Sequence, residues 1–202
     1  MKQEPKKIFV IIDGNAIIHR AYHALPPMST KDGAVVHAVY GFASMLLKVQ
    51  ETFHPTHIAV AFDLAGKTFR DDLYAQYKAT RVKSDDDLYS QIPLVHDLVR
   101  AFGISMYTKE NFEADDVIAA CVSEVTQKEK DAQSIIITGD TDLLQLVQGN
   151  TVDVCLLKKG LSEFERYDEQ KIHEVFGFAP TAIPDYKALR GDTSDNIPGV
   201  KG

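Results

Sequence analysis

Three short apolar runs in this chain stop on the same residue type: IFVIID ends at Asp13, IAVAFD at Asp63 and IIITGD at Asp140. Runs this apolar, without polar alternation, form strands covered on both faces, which is the habit of parallel sheets. Parallel neighbours need long crossover connections, usually helices. The segments between the runs supply them. Val39, Phe42, Ala43, Leu46 and Leu47, for example, recur at the spacing of an amphipathic helix. The pattern predicts strands at 8–12, 57–62, 104–106, 134–137 and 152–157, and helices at 16–24, 36–51, 91–102, 114–130 and 169–176. The fold class that follows is α/β, with a mostly parallel central sheet and helices on both faces.

In open parallel sheets ligands bind at the carboxyl ends of the strands. Asp13, Asp63 and Asp140 are therefore expected on one edge of the sheet although they are far apart in the chain. Glu113, Asp115 and Asp116 open the helix after the third strand and join that edge, Asp142 follows Asp140, and GDTSDN adds Asp192 and Asp195. Taken singly, each acid has an ordinary explanation as a turn residue, an N-cap or a complement to a helix dipole. Independent caps do not require so many acids at one edge, where like charges repel increasingly as they leave water. Hard divalent cations relieve that repulsion, and Mg²⁺ takes oxygen ligands. The acids therefore read as ligands at a site for more than one cation.

The balance of 22 basic against 29 acidic residues, a net charge of −7, argues naively against a nucleic-acid partner. The inference fails if the acids surround bound cations, which change the field a ligand feels. Cys121 and Cys155 sit in apolar surroundings and read as reduced thiols. The basic start MKQEPKK precedes an apolar run too short for a signal peptide or a membrane span, so the expectation is a cytoplasmic protein with no membrane contact. His19 and His23 share a helix face but lack a third soft ligand, so they read as surface or core histidines. No HExxH, P-loop, GxGxxG or GxSxG motif is present.

Residues 67–87 interleave aromatic rings with Lys67, Arg70, Lys78, Arg81 and Lys83 directly after the strand that ends at Asp63. They are expected to form a protruding helical element or an ordered loop. Such a charge run is commonly a solvated face, but beside a cation site it suits single-stranded nucleic acid, whose backbone needs cations and whose bases stack on rings. Two cations a few ångströms apart activate a water and stabilise the leaving oxygen of a phosphodiester. A metal-dependent nuclease follows as the chemical expectation.

The stretches IDGNAIIHRAYHA, AFDLAGKTFRDDLYAQYKATR, FEADDVIAA, TGDTDLLQL and GDTSDNIPGVKG also carry a resemblance. In their order and over nearly the whole chain they resemble the 5′-nuclease (flap endonuclease) family, and within it the N-terminal 5′→3′ exonuclease domain of bacterial DNA polymerase I. The resemblance implies a PIN-like fold with a helical arch over the active site and a helix–hairpin–helix at the C-terminal end. It implies Asp13, Asp63, Glu113, Asp115 and Asp116 around a first Mg²⁺ or Mn²⁺ ion, and Asp140, Asp142, Asp192 and Asp195 around a second. Asp13, Asp63, Asp115 and Asp140 with Lys78 and Arg81 form the implied catalytic set. Tyr22, Arg70, Lys78, Arg81, Lys83, Gly199 and Lys201 are the implied nucleic-acid contacts, with Tyr22 stacking on a base. The implied activity is cleavage of 5′ flaps and 5′ ends of DNA, or of RNA primer–DNA hybrids, in replication and repair.

One departure from the family is Thr141, where many relatives carry Lys or Arg. The other is that residues 1–202, expected as a single domain, stop inside the hairpin element at IPGVKG. The expected protein is a monomer, fused to a polymerase at full length. Two other readings are a branched-nucleic-acid binding module that does not cut and a small-molecule phosphohydrolase. The latter wants an acid two residues after its nucleophilic Asp, where this chain has Asn15.

Overall fold

The computed structural model describes residues 7–158 and 163–200. Its six strands are β1 (Ile8–Asp13), β2 (His57–Ala61), β3 (Ser105–Tyr107), β4 (Gln133–Thr138), β5 (Val152–Leu157) and β6 (Phe164–Tyr167), in the order β3-β2-β1-β4-β5-β6. The first five pair in parallel and β6 runs antiparallel to β5. The helices are α1 (Gly14–Ala24), α2 (His37–Phe53), α3 (Phe69–Leu73), α4 (Asp86–Ala101), α5 (Ala114–Lys128), α6 (Glu169–Phe176) and α7 (Ile183–Arg190), with short 3-10 turns at Asp142–Leu146 and Pro180–Ala182.

The apolar strands are continuous because each face of the sheet has its own core. Val10, Ile12, Val60, Ile135 and Ile137 pack beneath Ile17 and Ile18 of α1, Phe42 and Leu46 of α2, and Val95 and Val99 of α4. Ile11, Ala61, Ile136 and Val154 face the other way, toward Ile118 and Val122 of α5 and Ile172 and Ile183 of α6 and α7. Among the described residues no helix is long and apolar enough to cross a membrane.

All five strands and five helices expected from the sequence are present, displaced by a few residues at their ends. Strand β6 and helix α7 were not expected. The segment 67–87, expected as a protruding helical element or an ordered loop, is mostly the latter: it is helical over Phe69–Leu73, then turns repeatedly until α4 begins at Asp86. Lys78 takes a left-handed backbone (φ 54), and its N–H donates to the Asp195 carbonyl at 3.1 Å. Its basic side chains face a field of carboxylates, and the segment folds down onto them.

The strand order reverses between β1 and β4, whose crossovers leave in opposite directions along the sheet. A crevice opens at such a point beyond the carboxyl ends. Asp13 ends β1 there, and Asp140 follows β4 by two residues.

Candidate metal centre

Asp13 is 4% exposed and does two jobs. Its Oδ1 accepts from the Ala16 N–H at 3.0 Å, capping α1, and its Oδ2 accepts from the Thr138 hydroxyl at 2.8 Å. Thr138 Oγ1 in turn accepts from the Asp140 N–H at 3.0 Å, which ties the end of β4 to that of β1. Asp63 Oδ1 accepts from the Ala114 N–H at 2.6 Å, and the Asp63 N–H donates to Asn15 Oδ1 at 3.2 Å. The first turns of α1 and α5 thus hold the acids that end β1 and β2. Gly14 permits this closeness, because a Cβ there would lie 2.2 Å from the Phe62 ring and 2.8 Å from the Ala61 carbonyl oxygen.

Asp115 has no hydrogen-bond donor and no cationic partner among the described residues. Burial pushes its carboxyl up to about 8, and the charges of Asp13, Asp140, Asp142 and Asp63 add to the shift. Burial likewise raises Asp13 to about 6, with Asp63 and Asp140 adding. One residue thus feels four other carboxylates converging from β1, β2 and the loop after β4.

Around this inner group the remaining acids are paired. Arg70 grips Asp116 with two bonds of 2.6 and 2.9 Å, and Asp116 also closes a capping box with Glu113. Burial resists ionisation of Asp116, but Arg70 outweighs it and holds the carboxyl below its ordinary range. Lys78 Nζ lies 2.7 Å from Glu113, and Arg81 Nη2 lies 2.8 Å from Asp195. Tyr77 offers one phenolic proton between Glu113 and Asp195, at 3.0 and 3.1 Å. Lys187 of α7 touches Asp142 and Asp192 at 2.6 and 2.7 Å. Burial opposes its charge, yet these two carboxylates hold the ammonium above the usual lysine range.

Cutting the Arg70 pair leaves Asp116 partly buried without a cation, with the Glu113 N–H as its remaining donor. Arg70→Ala is therefore expected to lower stability by roughly 1–3 kcal/mol, read as a fall in the urea midpoint.

The inner acids, Lys78, Arg81 and His19 line a cleft of about 480 Å³. Asp140 also lines two adjoining clefts, one bounded by Arg70 and Asp116, the other by Lys187 and Arg190. Among the described residues no three His, Cys, Asp or Glu side chains are already closed around an ion position. Each inner carboxylate nonetheless keeps acceptor capacity, because a carboxylate has about four lone-pair sites and the hydrogen bonds above use at most two of them. An all-oxygen donor set with unrelieved negative charge fits Mg²⁺ or Mn²⁺ rather than a soft metal.

Residues 8–177 match the family model described as 5′-3′ exonuclease, N-terminal resolvase-like domain. The chain belongs to this exonuclease family. It is 42% identical over 200 residues to DNA polymerase I of Mycobacterium leprae, and 41% identical over 198 residues to that of Bacillus subtilis. In both cases the match covers 98% of this chain and 22% of the relative, so the chain spans about a fifth of their length. A bacteriophage T5 D15 flap endonuclease, solved as a pseudo-enzyme-product complex with DNA and metal ions, superposes with a TM-score of 0.76 at 19% identity, covering 97% of this chain and 71% of that one. Human GEN1 in complex with Holliday junction DNA gives 0.57 at 15% identity, covering 96% and 46%. These two likenesses show the fold alone, the mostly parallel α/β architecture expected from the sequence.

Within this exonuclease domain the structure brings Asp13, Asp63, Asp115 and Asp140 together as an inner group. Around it Glu113, Asp116, Asp142, Asp192 and Asp195 are held by bases. Tyr22 does not line the carboxylate cleft. Its hydroxyl donates to Asp85 at 3.1 Å and its ring packs 4.7 Å from His37. His19, one turn earlier on α1, does line the cleft; burial lowers its pKa, with His23 and Arg81 adding. Lys83 pairs with Asp86 at an exposed position. Gly199 (φ 66) packs against the backbone of Arg190, where a Cβ would lie 2.6 Å from the Arg190 carbonyl oxygen. Lys201 lies outside the described residues.

Asn15, Tyr77, Thr138 and Lys187 also touch the site residues and were not singled out as part of it, and His19, read from the sequence as a surface or core histidine, lines the cleft. Asn15 and Thr138 lie inside quoted motifs, so motif position was an available signal. Lys187 had none.

Proposed function

We propose that this exonuclease domain hydrolyses phosphodiester bonds at 5′ flaps and 5′ ends of DNA, using two or more Mg²⁺ or Mn²⁺ ions. The observation that carries the reading is Asp115, a mostly buried carboxylate with no partner and four other carboxylates around it. That charge is tolerable either protonated or beside cations, and family membership favours cations. Asp13, Asp63, Asp115 and Asp140 would hold the ions most directly, with Glu113, Asp142, Asp192 and Asp195 recruited from their present partners and Asp116 acting through Arg70. Divalent cations at such a site ease deprotonation of a water and neutralise charge on the phosphodiester.

The chain's own bases supply the rest. Lys78 and Arg81 face the same cleft and carry the positive charge that a phosphate needs. Both are held by acids, so a phosphate has to compete with Glu113 and Asp195 for them. Arg70, Lys83 and Tyr22 would contact a single strand, and Gly199 the duplex. Residues 1–202 are taken as one nuclease domain acting as a monomer in the cytoplasm. By analogy with the polymerase relatives it belongs to a longer protein that also processes RNA primer–DNA hybrids.

A labelled 5′-flap duplex tests this. Cleavage in Mg²⁺ or Mn²⁺, abolished by EDTA, is the expected result. Lys78→Ala and Arg81→Ala should each slow it by roughly 10²–10³-fold. Absence of metal-dependent cleavage at high protein concentration overturns the reading, and flap binding in Ca²⁺ without turnover in Mg²⁺ points to a binding module.

A further inference from the structure

Lys187 bridges two of the proposed ligands that lie 50 positions apart in the chain. Its Nζ lies 2.6 Å from Asp142 Oδ1 and 2.7 Å from Asp192 Oδ2, and its side chain is 25% exposed. Asp142 opens the turn after β4, whereas Asp192 lies beyond the end of α7. Nothing local in the sequence would bring these two carboxylates together; the ammonium links them. A lysine ammonium is a compact point charge on a flexible stem, unlike the planar fork of arginine. It therefore resembles a small cation in both charge and size, and its stem lets it leave.

Resting on the reading of the acidic rim as a divalent-cation centre, we propose that Lys187 is a built-in competitor for the second cation. It occupies the position between Asp142 and Asp192 until a divalent ion displaces it. Two consequences follow from the exchange. The second ion binds more weakly than the donor set alone would dictate, because an ion pair at each carboxylate is given up. The displaced ammonium also becomes available to the cleft of about 800 Å³ that Lys187 lines with Arg190 and Thr141. Among the described residues no ion pair holds Asp13, Asp63 or Asp115, so an ion held by these three binds without this competition.

Titration calorimetry of the whole chain with Mn²⁺ tests the exchange. The parent is expected to show a tighter and a weaker class of sites. Lys187→Met should tighten the weaker class about tenfold or more while leaving the tighter class unchanged, a tenfold change being about 1.4 kcal/mol. A weaker class that is unaltered or loosened overturns the proposal. Because removing the ammonium leaves Asp142 and Asp192 facing each other, the unmodified protein provides an independent readout. Lys187 should react slowly with a reductive methylation reagent in EDTA and faster in saturating Mn²⁺, as read by mass spectrometry. Unchanged or slower reaction in Mn²⁺ overturns the proposal even if the variant fails to fold. Loss of all Mn²⁺ binding in the parent removes the metal-centre reading itself, an outcome distinct from two classes that ignore Lys187.

Discussion

Asp115→Asn should abolish most cleavage and yet make the metal-free protein harder to unfold. The loss of activity, roughly 10²–10³-fold or more, follows if Asp115 is a ligand at the centre of the inner group. The gain in stability follows from its surroundings. With its pKa raised to about 8 from the ordinary 3.8, the folded protein holds a proton that the unfolded chain has released. Between about pH 4 and pH 8 the native state binds more protons, so stability is fullest at the acidic end and declines as pH rises. Asp13, raised to about 6, contributes in the same direction. Asparagine fits the same space without charge. In EDTA at pH 8 the Asp115→Asn protein is expected to gain roughly 1–3 kcal/mol in a urea melt, with a flatter dependence between pH 5 and pH 8. Saturating Mg²⁺ should flatten the parent in the same way. A lower midpoint for the variant at pH 8 would show that Asp115 is a structural residue, and the metal centre would have to be placed elsewhere.

The second large effect is expected at Gly14, which no chemistry requires. A methyl group there meets the buried Phe62 ring at 2.2 Å and a backbone carbonyl at 2.8 Å, so α1 must move away from the end of β2. Overpacking of this kind costs roughly 3 kcal/mol, about 6–12 °C in melting temperature for a chain of this size. The same movement separates Asp13 from Asp63, so Gly14→Ala should lose cleavage beyond what its melting temperature explains. A Tm within about 2 °C of the parent would refute the argument from close approach.

Much of this site could be read from the chain because backbone geometry creates it. Parallel strands bury both faces, so IFVII and SIII were legible as strands, and the acids ending those strands could be placed on one edge without coordinates. What escaped was short, charged or tertiary. Strand β6 reads Phe-Glu-Arg-Tyr, four residues with two charges inside them, a composition suited to a sheet edge and easily taken for a loop. Helix α7 is eight residues long with Pro184 in its first turn, and it leads directly into a turn motif that looked more informative.

The pairing of Glu113, Asp116 and Asp195 with Lys78, Arg70 and Arg81 joins residues separated by about 35 to 114 positions. Charge alone predicted that bases would be drawn to the acids, but it did not say which base would meet which acid. Capping does not withdraw Asp13 from the cleft, since it caps α1 and still lines it.

The Thr138 hydroxyl, set between the Asp13 side chain and the Asp140 backbone, shows what fixes the scale of the centre. Neighbouring strands stand about 4.8 Å apart in any sheet, close to the separation of about 3.5–4 Å between paired cations in phosphodiester hydrolysis. Strand pairing thus sets the spacing of the carboxylates that would hold the proposed cations. Surface segments can be lengthened or exchanged without disturbing that measure, which leaves substrate choice free to vary while the chemistry stays the same.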